Sequence, residues 1–502
     1  MGVVQLKTNL RLFEAITIII GSMIGSGILR LPGNMATQLH SPNLILLAWL
    51  VGAVLTVMGA LTFAEMAAMY PKAGGQYHFL KEGLGPFWSY QFGWAMFWVV
   101  MPGIVAGVAL AFADFLGGLI GGDGLPGDKT NLFHFDFAGT TGSIDLPAWG
   151  NAYVAIAIIL VLGVLNYLST RYGGTISNVT VVFKYVGLAA LVGIILVAGH
   201  AASGNYEPLD HDLTVGAGDD AKTFEPQSGI TLLLAFGAAM ASTLFAFDGW
   251  PQATYVASEI QNPKRNLPRA LLLGPLITAV IYIALTAAYF YVIPIDQAIA
   301  IGHDGEARIA VDAARAAVGD WGATFIGIVA LVSVFGTVNA YVLTSPRIFY
   351  AMSKDGALLR GMAKLSEKRA TPAFALLMFV LWASILVMSG AYFQITKMVV
   401  YGLWLLYIPT AIAHMRLRKV AADVERPFKT PLYPIIPILF LLAAVFVVYI
   451  SWFDPNRPTH LNGDWIYTAA ATLVMLIGIP FYFLQKRNPQ ARDEVTDTGH
   501  LA

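Results

Sequence analysis

The chain has 502 residues, 57% of them hydrophobic and only 12% charged, with a mean hydropathy of +0.66. Thirty Lys and Arg balance thirty Asp and Glu, so no charge excess points to nucleic acid. The absence of Cys excludes disulfides, thiolate metal sites, a thiol nucleophile and a disulfide-linked heavy chain. An ordinary soluble domain does not fit this composition; a polytopic membrane protein does.

Apolar stretches of about 20 residues, the length that crosses a bilayer, fall near 11–39, 43–70, 86–118, 149–169, 174–199, 229–258, 267–293, 319–352, 372–390, 395–415, 432–453 and 466–485. They predict an all-α membrane protein with twelve transmembrane helices. No charged-apolar-small cleavage pattern precedes the first stretch, so 11–39 reads as a retained span and not as a signal peptide. Within it, residues 21–30 read GSMIGSGILR. Gly costs a helix about 1 kcal/mol relative to Ala, and main chain freed from helical bonds in lipid must find other partners. A break at Gly25-Ser26-Gly27 therefore makes sense where a ligand or cavity supplies those partners. The alternative is helix packing, because Gly21 and Gly25 form a GxxxG and Ser22 and Ser26 repeat the spacing. A second interruption, Phe247-Asp248-Gly249-Trp250-Pro251, lies in the sixth stretch. Two breaks that face each other favour a ligand site over packing.

Basic residues alternate between the connections. With the N-terminus taken as cytoplasmic, that side carries 21 Lys and Arg and the other only 5. The positive-inside rule then puts both termini in the cytoplasm of a cell (inner or plasma) membrane protein. The other-side loops at 119–148, 200–228 and 294–318 are Gly-rich and acidic, and read either as short elements over the outer mouth or as solvated connectors. The tail QKRNPQARDEVTDTGHLA reads as disordered.

Five spans separate segment 1 from segment 6, so the two enter the membrane from opposite sides. Two five-helix units of opposite orientation, each opening with an interrupted helix, match the inverted-repeat transporter plan. The expected organisation is a cytoplasmic N-terminus at 1–10, a first repeat at 11–199, a second, inverted repeat at 229–419, two peripheral or homodimer-forming helices at 432–485, and the tail at 486–502.

The breaks have a physical use of their own. The outer half of segment 1 opens at Ser26, Gly27 and Ile28, where unpaired N–H groups and the positive end of a helix dipole suit a carboxylate. Gly also lets main chain approach a ligand closely. Segment 6 leaves the carbonyls of Phe245, Ala246 and Phe247 free, and these suit an ammonium. Together they match the two charged ends of an amino acid. Asp248, expensive in mid-membrane by about 2.5–3.5 kcal/mol, reads either as a contact to an amine or cationic side chain or as a cap on the inner half-helix, with Pro251 in its first turn. Lys184 sits about 15 Å along segment 5 at 1.5 Å per residue. It is open to three readings: a fixed ammonium joining segment 5 to segments 1 and 8, a proton carrier, or a snorkelling bystander.

Arg30 and Arg347 read as snorkelling side chains near span ends. Glu65, Glu259 and Arg269 read as ionic contacts on the cytoplasmic side. Trp250 and Trp404 read as core aromatics before ligand contacts, and no His/Asp spacing suggests a metal site or a cofactor.

Five separated motifs then stand in one order: GSMIGSGI at 21–28, AEMAAMYPKAGGQYHFLKEGLGP at 64–86, EIQNPKRNLPRA at 259–270, NAYVLTSPRIFYAMSKDG at 339–356 and RPFKTPLYPIIPILF at 426–440. In these the chain resembles the bacterial L-type amino acid transporters of the amino acid–polyamine–organocation superfamily. The resemblance implies a LeuT-like 5+5 inverted repeat with discontinuous helices 1 and 6. It implies carboxylate binding at Gly25, Ser26 and Gly27, and amine binding at Phe245, Ala246 and Asp248. It also implies an aromatic gate at Phe245, near Phe247 and Trp250, and a Lys at 184 in place of a sodium ion. Arg30 departs from the small or apolar residue of the family after GSGI. The resulting expectation is Na⁺-independent exchange of L-amino acids by alternating access, in contact with membrane lipid, with a proton-coupled symporter as the alternative. A channel would want a continuous polar lumen and an enzyme a nucleophile–base set; neither pattern is present.

Overall fold

The computed structural model describes residues 6–120, 130–137, 140–146, 149–201, 205–216, 221–226, 228–303, 308–388, 392–454, 457–461 and 465–486. The first apolar stretch forms two helices, α1 (Leu12–Met23) and α2 (Gly27–Leu39), followed by α3 (Pro42–Met69), α4 (Gln76–Leu84) and α5 (Pro86–Ala95). A π-helical turn at Met96–Val100 leads into α6 (Met101–Ile120). The hairpin β1 (Thr130–Phe137) and β2 (Thr140–Leu146) precedes α7 (Trp149–Leu168) and α8 (Thr170–Ala198). A short hairpin, β3 (Leu213–Val215) and β4 (Lys222–Phe224), precedes α9 (Gly229–Ala246), the single turn α10 (Gln252–Tyr255) and α11 (Pro263–Val292). Then come α12 (Ile295–His303), α13 (Ile309–Val318), α14 (Asp320–Lys354), α15 (Ala373–Met388), α16 (Tyr392–Val420) and α17 (Ile435–Trp452). The pair β5 (Phe453–Asp454) and β6 (Arg457–Leu461) joins α17 to α18 (Trp465–Lys486).

Among the described residues, eleven helical stretches are long and apolar enough to cross a bilayer, and α15, at 16 residues, is a shorter apolar helix. Helices satisfy their own main chain, which is what allows so many apolar segments to sit in lipid. Their outer faces stay apolar: Val164 on α7, Val186 on α8, Leu442 on α17 and Leu473 on α18 are all more than half exposed. The helix α14 is the most deeply buried of these spans and packs against α1, α6 and α8. Across the centre α3 lies along α11, and α1 is enclosed by α8, α11 and α14.

The second and third loops opposite the N-terminal end take the packed reading. Leu209 N donates to His40 O at 2.9 Å, the His40 ring lies 2.9 Å from Glu225 O, and α12 packs on α2. At the other end, Leu10 pairs in parallel with Ile260 through bonds from Leu10 N to Glu259 O (2.9 Å) and from Gln261 N to Leu10 O (2.7 Å). The strand that precedes α1 is thereby tied to the segment after α10. Beyond Lys486 the expected disordered tail lies outside the described residues.

The close approach of α1 to α11 depends on Gly274, where an added Cβ would stand 2.4 Å from Ile19 Cγ2. Gly274→Leu is expected to force these helices apart at a cost of about 1–3 kcal/mol, read as a lower thermal unfolding midpoint of the purified protein in detergent. An unchanged midpoint would show that the contact carries no packing constraint.

Candidate functional site

Helix α1 stops at Met23 because Ile24 leaves the helical region (φ −84°, ψ 89°), and α2 starts three residues later at Gly27. Ser26 precedes α2 without a side-chain capping bond, so the first N–H groups of α2 are not taken up by a cap. The acceptors at the end of α1 are treated differently. Thr337 Oγ1 lies 2.8 Å from Gly21 O and 3.0 Å from Ile24 O, and Ser333 Oγ donates to Ile24 O at 3.0 Å. The fully buried Lys184 donates from Nζ to Ile24 O and, at 3.4 Å, to Gly21 O. An ammonium from α8 and two hydroxyls from α14 thus close the negative end of α1, where a cation is favoured.

Helix α9 ends at Ala246 in the same way. Asp248 N turns back to Phe245 O at 3.0 Å, Gly249 takes φ +107°, and Gln252 N bonds to Gly249 O at 3.1 Å to start α10. Gly249 is required twice, by that left-handed dihedral and by space. An added Cβ would sit 2.8 Å from Ser22 C and 3.0 Å from Met23 N. The two breaks therefore touch main chain to main chain. Tyr282 on α11 reinforces the junction, its hydroxyl lying 2.8 Å from Met23 O and 3.1 Å from Ala246 O. On the α2 side, Gly27 faces Ala246, with room for a Cβ only at 3.3 Å from Ala246 Cβ.

Two interrupted helices whose ends meet in the middle of an apolar bundle narrow the choice of family. A family model described as Amino acid permease matches residues 10–479. The chain belongs to that family. Its fold is accordingly the LeuT-like one of the amino acid–polyamine–organocation superfamily, as the sequence motifs imply. The serine/threonine exchanger SteT of Bacillus subtilis is 28% identical over 487 residues, covering 96% of this chain and 98% of its own. The human b(0,+)-type amino acid transporter 1 is 30% identical over 493 residues, covering 96% and 88%. The human large neutral amino acids transporter small subunit 2 is 28% identical, covering 96% and 81%.

Within this permease fold the residues named from sequence separate by environment. Gly25, Ser26 and Gly27 form the first break, and Phe245, Ala246 and Asp248 line the second. Phe245 and Asp248 are half-buried, and Asp248 Oδ1 accepts a 2.7 Å bond from Tyr407 Oη on α16. Phe247 is fully buried, with ring centroids 5.7 Å from Trp49 and 5.1 Å from Tyr282. Trp250 takes the core reading among Phe63, Tyr407 and Phe440, and Trp404 packs on Tyr407 and Phe440. Among the described residues no cluster of three His, Asp or Glu gathers to hold a metal. Sequence reasoning missed Tyr282, Ser333, Thr337 and Tyr407. Ser333 and Thr337, four apart on one face of an apolar helix, carried a readable signal; single tyrosines do not.

The charged residues also need correction. Arg347 does not snorkel. It is 1% exposed and its Nε donates to the equally buried Glu259 Oε1 at 2.7 Å. Glu259 is taken by Arg347, and Arg269 is exposed. Glu65 joins neither of them; it accepts from Arg418 Nη2 at 2.5 Å and Thr430 N at 2.8 Å, with His414 Nε2 at 3.2 Å and Arg426 Nε at 3.4 Å. The half-buried Arg30 stacks its guanidinium 5.0 Å from the Phe115 ring centroid.

Removing one partner of a buried ion pair strands the other charge, typically at about 3–5 kcal/mol. Arg347→Met alone is expected to destabilise the protein strongly, while Arg347→Met with Glu259→Gln recovers most of the loss. Thermal unfolding of the single and double variants measures the coupling, and additive losses would show that the two side chains act independently.

Proposed function

We propose that this protein is a Na⁺-independent secondary transporter of L-amino acids that works by exchange through alternating access. The observation that carries the reading is the meeting of the two breaks. The uncapped N–H groups that open α2 lie beside the end of α9, with Gly27 against Ala246. Donors and the positive helix end suit an α-carboxylate, and the carbonyl end of α9 with the Asp248 carboxylate suits an α-ammonium. Gly25, Ser26 and Gly27 hold the carboxylate in this proposal, Phe245, Ala246 and Asp248 the amine, and half-buried Phe245 shields the ligand. The exchange named for SteT and the amino acids named for the other two relatives agree with this assignment. A transporter in the cell membrane needs no catalytic residue, and none is assigned. The excess of basic residues on one set of connections supports cytoplasmic termini in this proposal, with five-helix repeats at 11–199 and 229–419 as the moving parts.

Lys184 supports Na⁺ independence. Its ammonium already fills the place where freed carbonyls of α1 would meet a cation, and a second cation would be repelled. The same observation favours the second reading, a proton-coupled symporter. Among the described residues Lys184 Nζ is held by carbonyls alone, with no carboxylate to fix its charge.

Purified protein in liposomes is expected to take up labelled serine, leucine or another accepted amino acid only when unlabelled amino acid is present inside. Replacing Na⁺ by choline should leave the rate unchanged. Uptake into empty liposomes driven by an acid exterior instead establishes symport, and uptake indifferent to both overturns either coupling. Lys184→Ala removes a charge-assisted bond of about 1.5–3 kcal/mol, so the exchange rate should fall by at least about tenfold. Tyr282→Phe should cost less, because it removes a neutral bond.

A further inference from the structure

A groove of about 480 Å³ opens to the lipid between α7 and α15. Its walls are the i, i+4, i+7 faces of both helices: Leu160, Val164 and Tyr167 on one side and Ala373, Leu377 and Val380 on the other. The floor closes where Gly163 meets Val380, with an added Cβ only 3.0 Å from Val380 Cγ2. The eight residues of each helix, seven rises of 1.5 Å, give the groove a length of about 10 Å. Leu160, Val164 and Leu377 remain between 44% and 56% exposed, so no side chain of the described residues fills it.

One end of the groove carries positive charge. Arg369 holds its guanidinium 4.4 Å from the centroid of the Tyr167 ring, and Thr371 Oγ1 donates to Tyr167 O at 3.3 Å, which ties the loop before α15 to the end of α7. Among the described residues Arg369 has no carboxylate within ion-pair distance, and Lys364 and Lys368 beside it are exposed. An apolar channel at hydrocarbon depth, ending under an unneutralised guanidinium, is complementary to one kind of molecule.

We propose that this groove binds an anionic phospholipid, with an acyl chain between α7 and α15 and the phosphate on Arg369, supported by Lys364 and Lys368. Basic pockets at the membrane surface between helices recognise anionic headgroups on these terms. A second copy of the chain fits less well. A two-fold contact in one bilayer sets like surfaces against each other, so the basic cluster would meet itself. The occupant is independent of the exchange reaction, and the site lies away from both helix breaks.

The test uses the full chain in detergent, with lipids retained on it counted by native mass spectrometry. Phosphatidylglycerol and phosphatidylcholine of identical acyl chains are added in parallel, together with an arm containing inorganic phosphate. Wild type should retain phosphatidylglycerol about fivefold better than phosphatidylcholine, the equivalent of about 1 kcal/mol for one cation at an anionic surface. Arg369→Gln should abolish that preference while Arg369→Lys keeps most of it. Leu377→Trp, which fills the groove, should lower retention of both lipids, and Val164→Trp on the facing wall provides a second blocked variant should the first misfold. Equal retention of the two lipids by wild type, or an undiminished preference in Arg369→Gln, overturns the proposal. So does displacement of the lipid by millimolar phosphate, and so does a change from dimer to monomer on Leu377→Trp.

Discussion

A carbonyl that has lost its helical donor inside a bilayer has no water to turn to, and this need organises the centre of the molecule. Breaking α1 frees acceptors at Gly21, Met23 and Ile24; breaking α9 frees one at Ala246. Donors on other helices reach them: Thr337 and Ser333 from α14 and Lys184 from α8 serve Gly21 and Ile24, and the single hydroxyl proton of Tyr282 from α11 is shared between Met23 and Ala246. The polar groups of the surrounding spans are therefore the completion of two damaged helices. Satisfying acceptors this way leaves the donors that open α2 as the unmatched half of the same interruption.

The direct contact between breaks follows from a single missing side chain. With any Cβ at Gly249, the loop after α9 would collide with the main chain of Ser22 and Met23. The junction is then locked from the periphery. Arg347 on α14 is paired with Glu259 just beyond α10, and Leu10 before α1 is paired with the same short segment. A motion that separates α10 from α14 must strand two buried charges, whereas one that carries α1, α10, the residues around Leu10 and α14 together breaks none of these bonds. The cheaper path keeps the broken helices together as a unit.

Legibility from sequence followed the strength of the local penalty. The spans were readable because 20 apolar residues have few other fates, and the breaks because Gly-Ser-Gly and Asp-Gly-Trp-Pro are costly in mid-helix. Lys184 was readable for the same reason. Partner choice was not. Arg347 looked like a surface side chain because its neighbour Glu259 is 88 residues away in sequence and only folding brings the two together. Glu65 and Glu259 looked equivalent, yet one is claimed by α16 and the segment before α17 and the other by α14. Tyr282 and Tyr407 gave no signal, since a tyrosine in an apolar span is as often a packing residue with its hydroxyl at the edge.

The polar economy of the centre also bears on which end of a ligand is held where. Asp248 already receives a proton donor from Tyr407 on one oxygen. A carboxylate can accept several bonds, so the second oxygen can take one from an ammonium without surrendering the first. A ligand carboxylate brought to the same place would meet a like charge at short range in a medium of low dielectric, an arrangement disfavoured by several kcal/mol at a typical effective dielectric of about 20. The same ligand reversed end for end puts its anion on the N–H groups opening α2 and its cation beside Asp248. In the proposed reaction the orientation of an amino acid is thus set before any side-chain pocket is consulted.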